Sequence, residues 1–350
     1  MRRAASVTTL VLAVLVTACG PAAAPSAAPA ASASAAASAA PSASPSKAPV
    51  AISIGYASVS GTQAAAWVAK EKGIFQKNGL DVTLESIAGG SSPTSALIAD
   101  KIFALQISVE AISATLEGAD IVYVAAPVSS PLFWFISGPN IKNGADLKGK
   151  KIAATGIGTA TYFADVLALR HFGLATKDVD MVTANSVPGI LAAIQSGQVA
   201  GGAVSMPTYS VAKKAGMTTL VNVADLGFKY PSSWLAVRRK TIESRPDVVA
   251  AVVKSISEAI SVEIKDPATA EQIIGQYTKT KDQALLKETY DTLVPYLNKT
   301  PTPKAEQVGA ALDLIALNDP KAKGADPTKF VDTKFVDDLQ KSGFLDGLYK

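Results

Sequence analysis

From residue 51 onward, short apolar runs alternate with longer amphipathic ones, the pattern of a parallel sheet crossed by helices. Strands are expected at 52–56, 80–87, 103–107 and 121–125, with helices at 63–72, 92–100 and 109–116 between them. Gly73 stops the first helix, Asn78-Gly79 makes a turn, and Ser91 or Ser92 can cap the second helix. Residues 132–136 are continuously apolar, as in a strand buried on both faces, until Gly138-Pro139 breaks the run. A second set follows, with strands at 152–154, 181–184, 202–204 and 220–223 and helices at 160–172, 189–195 and 209–214. After a break at Tyr230-Pro231, residues 234–238 read as one more strand. From Thr241 the pattern is helical and punctuated by proline, at 248–264, 268–277, 282–297, 305–317 and 331–341.

This order predicts an α/β fold of two domains, a size that 300 residues suit. Domain 1 is expected to comprise 51–137 and 231–350, and domain 2, inserted into it, 138–230. Two connecting segments, near Ser137 and near Tyr230, would act as a hinge in which few residues absorb a closing motion.

The first 50 residues are of another kind. Arg2 and Arg3 precede an apolar run over 7–18, too short to span a bilayer, which needs about 20 apolar residues. Residues 1–18 therefore read as a signal peptide. The run ends in Val16-Thr17-Ala18-Cys19-Gly20, which resembles the bacterial lipobox, so Cys19 is expected to carry lipid. All residues of 20–49 except Gly20 and Lys47 are Ala, Ser or Pro. Such a tract has nothing to bury and cannot offset the entropy of ordering itself, so 19–50 reads as a tether holding the protein on the outer side of a bacterial membrane.

Charge and composition narrow the chemistry. The chain has 33 Lys and Arg against 29 Asp and Glu, and three of the basic residues precede residue 51. A balance so near zero, with no basic run, gives no footprint for nucleic acid. Cys19 is the sole cysteine, so the folded part has no disulfide and no thiol-based metal or redox centre. His171 is the sole histidine, and no nucleophile–base set or metal-binding motif can be assembled around it. The expectation is a protein without cofactor or metal that is not an enzyme.

Several segments in order carry a resemblance: Gly55-Tyr56, Ala69-Lys70-Glu71-Lys72-Gly73-Ile74-Phe75, Gly79-Leu80-Asp81-Val82 and Ala88-Gly89-Gly90-Ser91-Ser92. Asp146-Leu147-Lys148-Gly149-Lys150-Lys151-Ile152, Gly156-Ile157-Gly158-Thr159 and Gly197-Gln198-Val199 before Pro207 continue it. Over residues 51 to about 265 the chain resembles the NitT/TauT, NMT1/THI5-like binding proteins. The resemblance implies a type II periplasmic-binding-protein fold, a ligand between two α/β domains, and a monomeric lipoprotein that passes a small solute to an ABC permease. A receptor for a sensor system, or a THI5-like pyrimidine-synthesis enzyme, are the alternative roles. The sequence departs from the family where an aspartate is common at Ile102 and Ala200, a histidine at Tyr162, and a Trp-acidic-Pro triplet at Ser205-Met206-Pro207. A relative's ligand is therefore not carried over; sulfonates, nitrate, aromatic carboxylates and pyrimidine-like solutes stay open, with an organic solute favoured.

In open α/β sheets, ligands lie beyond the carboxyl ends of the strands. The corresponding loops hold Ser58, Ser60 and Thr62; Ser91 and Ser92; Glu110; Ser130; Gly158, Thr159, Thr161 and Tyr162; Met206 and Tyr209. They are rich in Ser, Thr and Gly, and several lead into helix N-termini, which favour an anion. The same residues also serve as ordinary turns and N-caps. Glu110 fits a helix start and, facing a cleft, would favour a cation or ring N–H. With no Lys or Arg in these loops, an anion would be held by neutral donors and helix ends alone.

Overall fold

A computed structural model describes residues 48–88 and 90–350. Cys19, most of the tract after it, and Gly89 lie outside the described residues. The chain begins with β1 (Val50–Tyr56), α1 (Ala64–Glu71), α2 (Ile74–Lys77), β2 (Leu80–Ser86), α3 (Ser92–Ile98), β3 (Ala104–Ile107), α4 (Glu110–Leu116) and β4 (Ile121–Val128). It continues through β5 (Trp134–Ser137), β6 (Lys151–Ala154), α5 (Ala160–His171), β7 (Asp180–Thr183), α6 (Val187–Gln195), β8 (Gly201–Val204), α7 (Thr208–Lys214) and β9 (Thr218–Asn222). After β10 (Ser233–Arg238) come α8 (Arg239–Ser244), α9 (Pro246–Lys265), α10 (Pro267–Thr278), α11 (Gln283–Leu293), α12 (Ala305–Ile315), α13 (Lys334–Lys341) and α14 (Phe344–Gly347).

The strands make two five-stranded sheets, ordered β2-β1-β3-β10-β4 and β7-β6-β8-β5-β9. Within each, βαβ crossovers run neighbours parallel, as in β2-β1-β3 and β7-β6-β8. β5 and β10 are antiparallel to both of their neighbours. The direction follows from the route. The chain leaves β4 and β9 at the carboxyl edge of one sheet and crosses straight to the other, so the next strand starts at that edge and runs back. The apolar run expected to close domain 1 is thus paired in the second sheet, because the crossing falls between Val128 and Trp134.

Burial explains the patterns. All eight residues of β4 are buried, consistent with a run that, Tyr123 and Pro127 apart, is Val, Ile and Ala. The stripe Val248, Val249, Val252, Val253, Ile256 and Ile260 along α9 packs on the first sheet and on α1, where Trp67 is fully buried. Each such aliphatic side chain adds roughly 1.5–3 kcal/mol. α5 is buried without interruption from Thr161 to Leu169 and shares a core with residues of both sheets and of α12. No helix of the described residues is long and apolar enough to cross a membrane.

Candidate functional site

The carboxyl edges of the two sheets face each other across a cavity of roughly 310 Å³. The first sheet supplies Ser58, Ser60, Thr62 and Gln63 after β1, Gly90 and Pro93 after β2, and Ser108 and Glu110 after β3. Opposite stand Thr155, Thr159, Ala160 and Thr161 after β6, Asn185 to Pro188 after β7, and Ser205 after β8. Phe133 and Ser232, from the two crossings, and Tyr277 to Lys279, from the end of α10, complete the wall. The loops touch across the cavity: a Cβ on Gly156 would lie 3.3 Å from the Gly90 backbone, so glycine here permits that approach.

Three threonines make one cluster on the second-sheet side. Thr155 Oγ1 donates to Thr159 Oγ1 (3.0 Å), and Thr161 Oγ1 lies 2.9 and 3.1 Å from those two oxygens. Thr159 occupies the N-cap position of α5 but spends its hydroxyl on the Gly156 carbonyl (2.7 Å) and caps no helical N–H. The free N–H of Ala160 is taken instead by Glu110 Oε1, 3.0 Å away and 50 residues earlier in the chain. One carboxylate therefore stands at the start of α4 and reaches across to the start of α5. Its Oε2 is buried without a hydrogen-bond partner. Burial raises the Glu110 carboxyl to about 7, against the opposing pull of N–H groups at Glu110, Ala160 and Ser108.

The expected residues divide in two. Ser58, Ser60, Thr62, Glu110, Thr159 and Thr161 line the cavity together. Ser91 and Ser92 are exposed at the start of α3, outside the lining. Ser130 accepts from Lys229 Nζ, and Gly158 turns with φ +77° beside the wall without entering it. Tyr162 points into the core, where its hydroxyl accepts from Asn318 Nδ2 (3.0 Å). Tyr209 stacks on Trp134 with centroids 4.4 Å apart, and Met206 lines a water-sized void beside the cavity. His171 is exposed at the end of α5 and is not in the wall.

Asn185–Pro188 and Tyr277–Lys279 are absent from the loops that the sequence singles out. Asn185 and Lys279 are left-handed, with φ +59° and +56°, and such backbone in a residue other than glycine tends to gather at functional sites. For the first segment a signal exists: Ser186 caps α6 by accepting from Gly189 N–H (3.1 Å), with Pro188 in the first turn. The second comes from the helical tail, far away in sequence, and brings an exposed cation, Lys279, to the wall.

A model of the NMT1/THI5 like family matches residues 62–270. A putative thiamine biosynthesis protein of Haemophilus influenzae is 33% identical over 130 residues, covering 36% of this chain and 41% of that relative. A putative binding protein of Brucella abortus is 28% identical over 244 residues, covering 68% of this chain and 74% of its own length. The structure of the alkanesulfonate-binding protein SsuA from Xanthomonas axonopodis pv. citri, bound to MOPS, superposes with a TM-score of 0.69 at 21% identity, covering 82% of this chain and 100% of that one. The chain belongs to the NMT1/THI5-like family and has the α/β, type II periplasmic-binding-protein fold.

Proposed function

We propose that the protein is an extracytoplasmic solute receptor of an ABC-type importer, anchored through lipid on Cys19 and acting as a monomer. A small organic solute is held between the two sheets, and the segments that cross between them, at 129–133 and 223–232, flex as the halves close around it. The observation that carries this reading is the cavity of roughly 310 Å³ walled by the carboxyl-edge loops of both sheets. That volume suits a ligand of one ring or a short chain, and the site lies where open α/β sheets bind ligands. The relatives named for binding or for thiamine biosynthesis bring sulfonate-like and pyrimidine-like solutes into consideration, beside aromatic carboxylates.

The test is a thermal-shift panel of sulfonates, nitrate, aromatic acids, pyrimidines and amino acids on the purified protein, with mass spectrometry of whatever it releases on denaturation. A true ligand at about 100 times its dissociation constant adds roughly 2.7 kcal/mol, a readily visible shift. If no class shifts the melting point and denaturation releases nothing, the receptor reading fails.

A further inference from the structure

Five of the hydroxyls around the cavity spend their hydrogens inside the protein. Ser108 donates to the Pro231 carbonyl (2.6 Å), Thr278 to the Ile274 carbonyl (2.7 Å) and Thr62 to Ser60 Oγ (3.3 Å). Thr155 and Thr159 donate within their own cluster and to Gly156. A hydroxyl that donates inward presents lone pairs to whatever lies beside it. Glu110 adds a carboxylate with one buried oxygen unpartnered, and the side-chain oxygen of Gln63 is in the same condition. The start of α5, a 12-residue helix whose free N–H groups would otherwise attract an oxyanion, already holds the Glu110 carboxylate. A second anion there would meet a like charge that burial leaves poorly screened. Lys279, the one cation in the wall among the described residues, is exposed and open to screening by salt.

We infer that the cavity selects a solute rich in hydrogen-bond donors (an amine, amidine, amide or amino-substituted heterocycle) through Glu110 and the Thr155–Thr159–Thr161 cluster, and turns away bare oxyanions. This deepens the receptor reading and rests on it. Of the solute classes left open above, it favours the pyrimidine-like one over nitrate and simple sulfonates. Any acidic end of the solute faces Lys279, away from Glu110.

The experiment compares matched probes that share a skeleton and differ in the polar group: benzamidine, benzamide and benzoate, and acetamidine, acetamide and acetate. Each is titrated at millimolar concentration into the full-length protein above neutral pH, where Glu110 is ionised, and into the Glu110→Gln and Thr155→Val variants. In the wild type, amidine and amide are expected to bind at least about tenfold more tightly than the carboxylate of the same skeleton. Glu110→Gln keeps an acceptor for the Ala160 N–H but turns the unpartnered oxygen into a donor, so the ranking should invert. Thr155→Val removes one acceptor while keeping its shape, and should weaken amide binding several-fold without changing the ranking. Carboxylate binding as tight as amide binding in the wild type overturns the donor preference and leaves a solute receptor standing. A flat response to every probe in all three proteins also overturns the donor preference, while the receptor reading is decided separately by the solute panel and the mass spectrometry of released ligand.

Discussion

Glu110 illustrates how burial turns one residue into a sensor of pH. Its carboxyl is raised from an ordinary 4.5 to about 7, and the groups near it, Tyr123 on β4 and Tyr230 before β10, are raised as well and stay neutral. Below pH 4.5 both the folded and the unfolded chain carry the proton. Between 4.5 and about 7 the unfolded chain releases it while the folded protein holds it, so stability falls as pH rises through that window and levels off above it. Glu110→Gln abolishes this part of the slope. Denaturant unfolding between pH 4.5 and 8 should show the wild type losing on the order of 3 kcal/mol relative to the variant, since each tenfold change in proton affinity is worth about 1.4 kcal/mol. Parallel pH profiles for the two proteins would show that the carboxylate is not desolvated. The same residue marks how far a sequence can be read at this scale. Glu110 is visible as an acid at a helix start, but its partner, the Ala160 N–H, is 50 residues away. Tyr162 and Tyr209 go the other way: they follow the right loops, yet helical rotation of about 100° per residue carries their rings off the cavity that Thr159 and Thr161 face.

At the scale of elements, most strands and helices are legible because hydrophobic period is a local property. Sheet membership is not. Residues 134–137 are equally apolar whichever sheet they enter, and only the crossing direction assigns β5 to the second one. Glycine at 201 and 202 is readable as a place of close approach within a strand, and the packing says what approaches. A Cβ on Gly202 would meet the Ala153 carbonyl oxygen at 2.3 Å and Ile190 Cγ2 at 2.8 Å. The glycine thus lets α6 lie close on β8, which places the Asn185–Pro188 loop against the cavity. Gly202→Val should cost about 2 kcal/mol or more, in the range of overpacked cores, and weaken ligand binding beyond that because the loop moves with α6. Urea unfolding and a binding isotherm on the same preparation check both. A variant of unchanged stability would mean that the helix withdraws freely and that its seat on β8 does not fix the loop.

For the whole molecule, the arrangement of charge across the two halves bears on closure. Lys213 and Lys214, at the end of α7 on the second-sheet side, pair with Glu288 (2.9 Å) and Asp282 (2.7 Å), on and just before α11 over the first sheet. Ser210 also donates to Glu288 (2.6 Å), and these contacts hold the Glu288 and Asp282 carboxyls below the usual carboxylate range. Exposed pairs of this kind are worth about 0–1 kcal/mol each in folding, because water and salt screen them. Their leverage lies elsewhere. Global stability is set by the cores of both sheets, whereas in the proposed closing motion the open and closed forms would differ by only a few kcal/mol, so two weak pairs between the halves would shift that equilibrium appreciably. Combining Glu288→Gln with Asp282→Asn should leave the ligand-free melting point nearly unchanged and lower ligand affinity by about three- to tenfold. Salt provides the internal control: raising ionic strength should weaken ligand binding in the wild type and have much less effect in the double variant. Equal salt dependence in the two would remove these pairs from the closing equilibrium and leave closure to the contacts around the cavity, Glu110 with Ala160 and Gly156 against Gly90.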